Sequence, residues 1–144
     1  MCVCMLSKRD MADLAVTAME GGISYWCSEF EYVERDDQGG WQVMSDERRQ
    51  SFSSPAYDAE DFWEGDKRGI RLTTQYDEDS DVVLRPLTAS SIRKAFKYQP
   101  PKNKYPSKNW FPKLCKLLHS SGDYDADDAD TIVQIAVMDE VVYG

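Results

Sequence analysis

A single histidine, His119, stands in 144 residues. One imidazole cannot supply the paired ligands of a histidine-based zinc site. A Ser/His/Asp or Cys/His centre would need it within hydrogen-bond reach of the nucleophile. Cys115 lies one helical turn before it, but Leu114, Leu117 and Leu118 make the same stretch read as an ordinary packed turn. The chain also lacks a GxSxG elbow, an HExxH pair and a phosphate-binding glycine loop. Nothing approaches the about 20 consecutive apolar residues of a membrane span. Met1–Leu6 is apolar but stops at Ser7-Lys8-Arg9-Asp10, without the basic start of a signal peptide. These absences predict a protein of the cytoplasm (the host cytoplasm for a phage-encoded chain) with no membrane partner, no catalytic centre, no cofactor and no bound metal.

Cysteine is sparse and awkwardly spaced. Cys2, Cys4, Cys27 and Cys115 could together hold zinc, yet the spacing matches no known knuckle and two ligands would be solitary. The expectation is free thiols in a reducing compartment. Hydrophobic residues at 42% and charged residues at 30% are globular values and exclude wholesale disorder. A chain of this length suits one domain, 1–144, with a sizeable core.

Acid is missing from one long stretch. Between Arg85 and His119 there are nine lysines and arginines and no aspartate or glutamate, although the whole chain carries −9. The remainder therefore holds eight basic residues against 26 acidic ones. Such segregation bears on the choice of partner more than the mean charge does. In the basic stretch, Arg93, Lys94, Lys97, Lys102, Lys104, Lys108 and Trp110 are the candidate contacts for nucleic acid. The neighbouring Phe96, Tyr98, Tyr105 and Phe111 offer stacking platforms. The bland alternative is that this segment docks on the protein's own acidic body. Against nucleic-acid binding, the surplus acid would repel phosphates over a Debye length of about 8–10 Å.

Hydrophobic patterning sets an α+β expectation: an antiparallel sheet of about four strands packed on two or three helices. Ser7 and Asp10 resemble a capping start for a helix over Ser7–Glu20, which Gly21-Gly22 stops. Ile23–Val33 reads as a strand, with Trp26, Ser28, Phe30 and Tyr32 facing the core and Cys27, Glu29, Glu31 and Val33 outward. Asp36–Gly40 is a turn and Trp41–Met44 the return strand. Ser45–Gly69 shows no sustained period beyond a possible short helix over Asp58–Glu64. Ile70–Tyr76 and Val82–Leu84 form a second hairpin, which Pro86 ends. Thr88 or Ser90 caps a helix to Tyr98, with Ile92, Ala95 and Phe96 inward. Gln99–Pro112 is expected to be extended, Trp110-Phe111 to anchor the chain, and Lys113–His119 to form a short helix. The apolar run Ile132–Val142 then fills most of a helix circumference and belongs at the centre of the fold.

Two acidic regions invite a functional reading. Asp123, Asp125, Asp127 and Asp128 mimic the opening of an EF-hand loop, but its glycine and its bidentate glutamate are replaced by Asp128 and Gln134. Capping of the last helix is the better account. The other region interleaves acids with aromatics. Tyr57, Asp58, Glu60, Asp61, Phe62, Trp63 and Glu64, with the turn acids Asp77, Glu78, Asp79 and Asp81, are the candidate partner-binding residues. They can present carboxylates where a nucleic-acid-binding protein expects phosphates. Equally, the aromatics of this stretch can be satellites of the core.

Two signatures add context. Ala18-Met-Glu-Gly-Gly-Ile-Ser-Tyr-Trp26 and Ala129-Asp-x-x-x-Gln-x-Ala-x-x-x-Glu-Val-Val-Tyr-Gly144 resemble small acidic proteins encoded by phages and related mobile elements. Together they span 25 of the 144 residues. In that group an aromatic-Gly pair precedes the glutamate, where this chain has Met138-Asp139. The resemblance implies a phage context and assigns no catalytic residue. Small accessory phage proteins without enzyme motifs are often inhibitors of host defence, of the anti-CRISPR or anti-restriction kind. The expectation is such an inhibitor, binding a host nucleic-acid-handling complex by occlusion or mimicry. A nucleic-acid-binding protein using 85–119, or a phage structural or assembly protein, is the alternative.

Overall fold

The computed structural model describes residues 6–52, 54–77, 80–100, 106–107, 109–119 and 124–143. The first helix, α1 (Lys8–Thr17), opens as its sequence dictates. Ser7 Oγ accepts the Asp10 N–H at 3.1 Å, and Asp10 Oδ2 accepts the Ser7 N–H at 3.0 Å, so the short acid closes a full capping box. The α-helical part ends three residues earlier than expected. Ala18–Gly22 is a π turn, closed by the Ile23 N–H on the Ala18 carbonyl at 3.0 Å. Gly22 explains why this turn is tolerated: a Cβ there would lie 2.6 Å from the Ala126 carbonyl oxygen of the last helix. Only a bare backbone can approach so closely.

The sheet follows the expected α+β plan. Strands β1 (Cys27–Arg35), β2 (Trp41–Val43), β3 (Arg68–Asp77) and β4 (Ser80–Val83) lie in the order β2-β1-β3-β4, all antiparallel. A two-residue strand, β5 (Leu87–Thr88), pairs with Gly69 and Ile70 of β3. Thus β4 and β5 are two pieces of one edge. Pro86 interrupts that edge without ending it, because the pairing resumes one residue later. Gly69 permits the resumption, since a Cβ there would stand 2.8 Å from the Leu87 carbonyl.

Four expectations about strands need correction, the first being Val33, expected to face outward but 0% exposed. The residues 23–26 form a turn, and β1 begins only at Cys27; Trp26 still reaches the core, 2% exposed, from the turn. Phe30 shares the inner face with Tyr32 but is 43% exposed, because the sheet's cover stops short of it. The second hairpin is tighter than its acid-rich sequence implied, with Asp77 already paired to Ser80.

The connection after β2 is built from short turns. Ser45 caps α2 (Asp46–Gln50) through the Arg48 N–H at 3.2 Å. Ala56–Asp58 and Glu60–Trp63 are separate 3₁₀ turns, not one helix over Asp58–Glu64, because Ala59 between them is extended (φ −82°, ψ 129°). Helix α3 (Ala89–Ala95) has Thr88 and Ser91 as a capping box, and Ile92 and Ala95 are buried. Helix α4 (Trp110–His119) buries Phe111, Leu114 and Leu118.

Helix α5 (Ala126–Met138) is the centre. Every residue from Ala129 to Val137 is buried, so the helix is enclosed on all sides. α1, the π turn, α3 and β5 pack around it. Asp125 and Asp128 form its capping box, the Asp128 N–H reaching Asp125 Oδ1 at 2.9 Å. The helix stops at Asp139 in the left-handed region (φ 66°). Glycine prefers such backbone, which is the residue type the resemblance places here. Arg85 holds the aspartate from outside, donating from Nη1 to Oδ2 at 3.0 Å. Among the described residues no helix is long and apolar enough to cross a membrane.

The polar residues on α5 tie the fold together. Asp130 is 5% exposed and accepts the Tyr25 hydroxyl at 2.6 Å, the Trp26 indole N–H at 2.6 Å and the Gln134 amide at 3.0 Å. Gln134, wholly buried, accepts the backbone N–H groups of Val142 and Tyr143, each at 2.8 Å. It also donates to the Tyr143 carbonyl at 3.1 Å. The Tyr143 ring stacks on Trp26 at 5.4 Å. Gln134→Leu would leave two part-buried backbone amides and part of a buried carboxylate unpaired, and Gly22→Ala would force the π turn off α5. Each substitution should cost roughly 2–4 kcal/mol in urea unfolding, whereas Gln42→Leu on the exposed β2 should cost under about 0.5.

Candidate functional site

The acid-aromatic stretch sorts itself by chemistry. Phe62 and Trp63 are 0% and 1% exposed, and Tyr57 is 7% exposed. Trp63 donates its indole N–H to the Tyr57 carbonyl at 2.8 Å, so the two 3₁₀ turns are pinned to each other. The rings continue as a row: Phe52 and Trp63 each meet Phe62 edge-on, and Phe62 meets Tyr32 at 5.5 Å. As partner-binding residues these three aromatics are therefore corrected. They are core, because burying a ring outweighs displaying it when a helix is available to cover it. α1 supplies that cover.

The acids between them face solvent. Asp58, Glu60, Asp61 and Glu64 are exposed along the two turns, and Asp13 is exposed on α1 beside them. Arg9 bridges Asp13 and Asp58 at 2.9 and 2.7 Å, and Lys8 lies 3.9 Å from Glu64. The hydrogen bond that Arg9 donates to Asp58 raises the Arg9 pKa above its ordinary value. Arg68 is turned to the Asp61 carbonyl at 2.9 Å and to the Phe52 ring. Carboxylates outnumber cations here, and they stand on a backbone locked by buried rings. Of the turn acids, Asp77 and Asp81 lie in the paired backbone of β3 and β4. Glu78 and Asp79 lie outside the described residues.

The acid cluster before α5 divides. Asp125 and Asp128 are committed to capping, as the sequence implied. Burial raises the Asp128 pKa, and Trp110 hydrogen-bonds its carboxylate. Asp130 is interior. Among the described residues no group of three histidine, cysteine or acidic side chains is placed to hold a metal ion.

The basic segment also divides. Arg93, Lys94 and Lys97 are exposed, as is Lys113 on α4, and none of them forms an ion pair among the described residues. Arg85 follows the self-docking alternative, on Asp139. Lys102, Lys104 and Lys108 lie outside the described residues. The stacking platforms are corrected in part: Phe96 and Phe111 are 9% and 4% exposed, and half-buried Trp110 is turned to Asp128 and Phe111. Aromatic residues interleaved with lysine on an amphipathic helix fill its apolar face first.

Two further expectations concern reactive groups. Cys115 is disulfide-bonded, which corrects the reading of free thiols at that position and removes it as a nucleophile beside His119. Sequence spacing does not report which thiols a fold brings together. Cys27 is free, and burial pushes its thiol pKa up, away from a reactive thiolate.

Sequence reasoning missed the Tyr25–Asp130 contact, although both residues stand in the two signatures. The Tyr25 ring is 56% exposed while its hydroxyl turns inward to the carboxylate. Burial, helped by the hydrogen bond to Asp130, pushes its pKa up to about 12. A tyrosine held neutral against a carboxylate already saturated with donors is no nucleophile at neutral pH. The contact is structural. Comparison with protein-family models, curated proteins and solved structures found no match, so function must be argued from these residues.

A raised tyrosine pKa contributes stability that is complete below the ordinary value near 10 and is lost as pH rises through about 12. Burial also raises the pKa of Tyr32, Tyr57 and Tyr124, so alkaline titration at 295 nm should show a late tyrosine component that is smaller by one residue in Tyr25→Phe. Between those pH values the wild type should lose stability faster than Tyr25→Phe in parallel urea melts.

Proposed function

We propose that this chain is a phage-type binding protein that inhibits a host nucleic-acid-handling defence complex, anti-CRISPR or anti-restriction in kind. It acts by occupying or imitating a nucleic-acid site, in the host cytoplasm, and does no chemistry of its own. One observation carries the reading. Asp58, Glu60, Asp61 and Glu64 are held outward on turns whose neighbouring rings are fixed in the core. A flexible acidic loop would lose conformational entropy on docking; a preorganised ridge of carboxylates avoids most of that loss. Negative charge on a rigid surface also steers encounter with a basic groove.

Exposed Arg93, Lys94, Lys97 and Lys113 favour the second reading, direct nucleic-acid binding. Burial of Phe96 and Phe111 takes away stacking surface that such binding uses, so the inhibitor reading stands first.

The test is recovery of a nucleic-acid-binding complex by the tagged chain from nuclease-treated bacterial lysate, followed by competition with that complex's own DNA or RNA. Competition should weaken about tenfold or more between low and physiological salt, and Glu60→Lys with Asp61→Lys should reduce it by a similar factor. Recovery of no nucleic-acid-binding protein sinks the proposal. A gel shift of bare probes by the chain, lost on replacing Arg93, Lys94 and Lys97 with alanine, would move the assignment to direct binding.

A further inference from the structure

The sheet has an unfinished edge. β2 is only three residues long because Ser45 caps α2 and takes the chain away from the sheet after Met44. Its register with β1 covers Val33, Glu34 and Arg35, and the Met44 N–H adds a bond to the Tyr32 carbonyl at 2.8 Å. Backbone groups two residues apart on a strand point to the same side. Tyr32 directs its carbonyl towards β2, so Phe30 directs its N–H and C=O the same way, away from β3. Leu72, opposite Phe30 on β3, likewise turns outward and accepts the Leu84 N–H at 2.9 Å. By that register the residue that would face Phe30 is Asp46, which has already left the sheet as the first residue of α2. The ladder thus leaves the Phe30 N–H and C=O without a strand partner.

An aromatic groove of about 660 Å³ runs beside this edge. Phe30, Tyr32 and Phe52 line it, with Val43, Met44 and Pro55. Phe30 is 43% exposed on the groove's face, the kind of apolar surface that a folded chain seldom leaves bare without a use; Val43, paired with Val33, turns its side chain to the opposite face. Charge around the groove is lopsided. Arg49 is paired with Asp46 at 3.4 Å, Arg48 with Glu34 at 3.3 Å and Arg71 with Glu31. Glu29 and Glu47 are exposed and form no ion pair among the described residues. Arg68 lies 5.1 Å from the Phe52 ring centroid without an ion pair among the described residues, so the five acids Glu29, Glu31, Glu34, Asp46 and Glu47 exceed the four arginines by one.

We propose that the open edge of β1 at Phe30 receives an extended basic segment of a partner protein as an added strand. Residues paired across a ladder share a face. The segment's residue opposite Phe30 therefore enters the groove, and apolar or aromatic side chains fit there. Its two neighbours fall on the outer face, where Glu29 stands, and basic side chains fit there. Main-chain bonds to Phe30 supply the affinity, and the apolar pocket with its acidic flank supplies the selectivity. The recognised pattern is basic–apolar–basic in extended conformation. This docking uses residues other than the acidic ridge and does not rest on the proposed inhibition.

Fluorescence anisotropy with the full chain tests it, using a labelled short peptide that alternates lysine with valine around a central phenylalanine. Binding should slow amide hydrogen exchange at Phe30. A twin with glutamate in place of lysine, and a twin N-methylated at the phenylalanine, should each bind about tenfold weaker or worse. Phe30→Ala should weaken the lysine probe. Glu29→Lys, an exposed change that leaves the core alone, should weaken the lysine probe and strengthen the glutamate twin. Absence of binding at the highest soluble probe concentration overturns the proposal. So does an N-methylated twin that binds as well as the parent. A Phe30 amide already protected in the free chain, through pairing with a second copy, would equally refute it and make this edge a self-interface.

Discussion

Asp130 is a carboxylate sealed in the core with no cation beside it among the described residues, and the architecture depends on how that burial is made tolerable. An isolated buried charge is prohibitively costly; one that collects several well-aligned donors is not. Tyr25 and Trp26 bring two of those donors from the turn before β1, and Gln134 brings the third from the same helix. The turn can deliver them only because Gly22 lets the preceding backbone lie against the start of α5. Gln134 then passes the constraint on, holding Val142 and Tyr143 so that Tyr143 stacks on Trp26. One polar chain fixes the end of the π turn, the start of the sheet and the last residues of α5's extension. The two sequence signatures, far apart along the chain, are the two halves of this contact.

Charge has been arranged around that core with little neutralisation. Most ion pairs are on the surface, where each is worth only a few tenths of a kcal/mol to about 1 kcal/mol, so they do little for stability. Their larger effect is to decide which charges remain for partners. The cations of α1 and α2, and Arg71 of β3, are spent on carboxylates, whereas Arg68 of β3 is bonded to a backbone carbonyl. Those of α3 and Lys113 of α4 are not, and neither are several acids of the 3₁₀ turns and of β1. The protein therefore offers two surfaces of opposite sign on one rigid frame, with an apolar strand edge as a third kind of contact. Electrostatic steering and strand addition act at different ranges and can serve the same encounter.

Periodicity and capping chemistry carried the element types. Ser7 with Asp10, Thr88 as a cap and the all-round apolar run of α5 are local signals, and each produces a helix at its place, although the helices end at Thr17, Ala95 and Met138, short of the expected Glu20, Tyr98 and Val142. Boundaries and faces were less legible. Alternation put Phe30 on the inner face, correctly, but could not say that the cover ends before it. Pro86 was read as the end of pairing, although a proline removes one donor and a strand can resume beyond it. In 57–64 the composition allowed display or burial of the rings, and only packing beneath α1 chose burial. That choice turned half of a candidate site into core and left its acids as the surface.

By itself, then, the sequence determined the α+β class, the central helix, the helix caps and the segregation of charge. These follow from interactions within a few residues or from simple counts, which survive in any conformation. Tertiary structure decided that Asp130 meets Tyr25 and Trp26, and that Cys115 is oxidised. It also decided that Arg93 and Lys94 of α3 form no ion pair among the described residues while Arg85 does, and that β1 keeps an open edge at Phe30. Each of these depends on groups distant along the chain, and their meeting is set by how the whole core closes around α5.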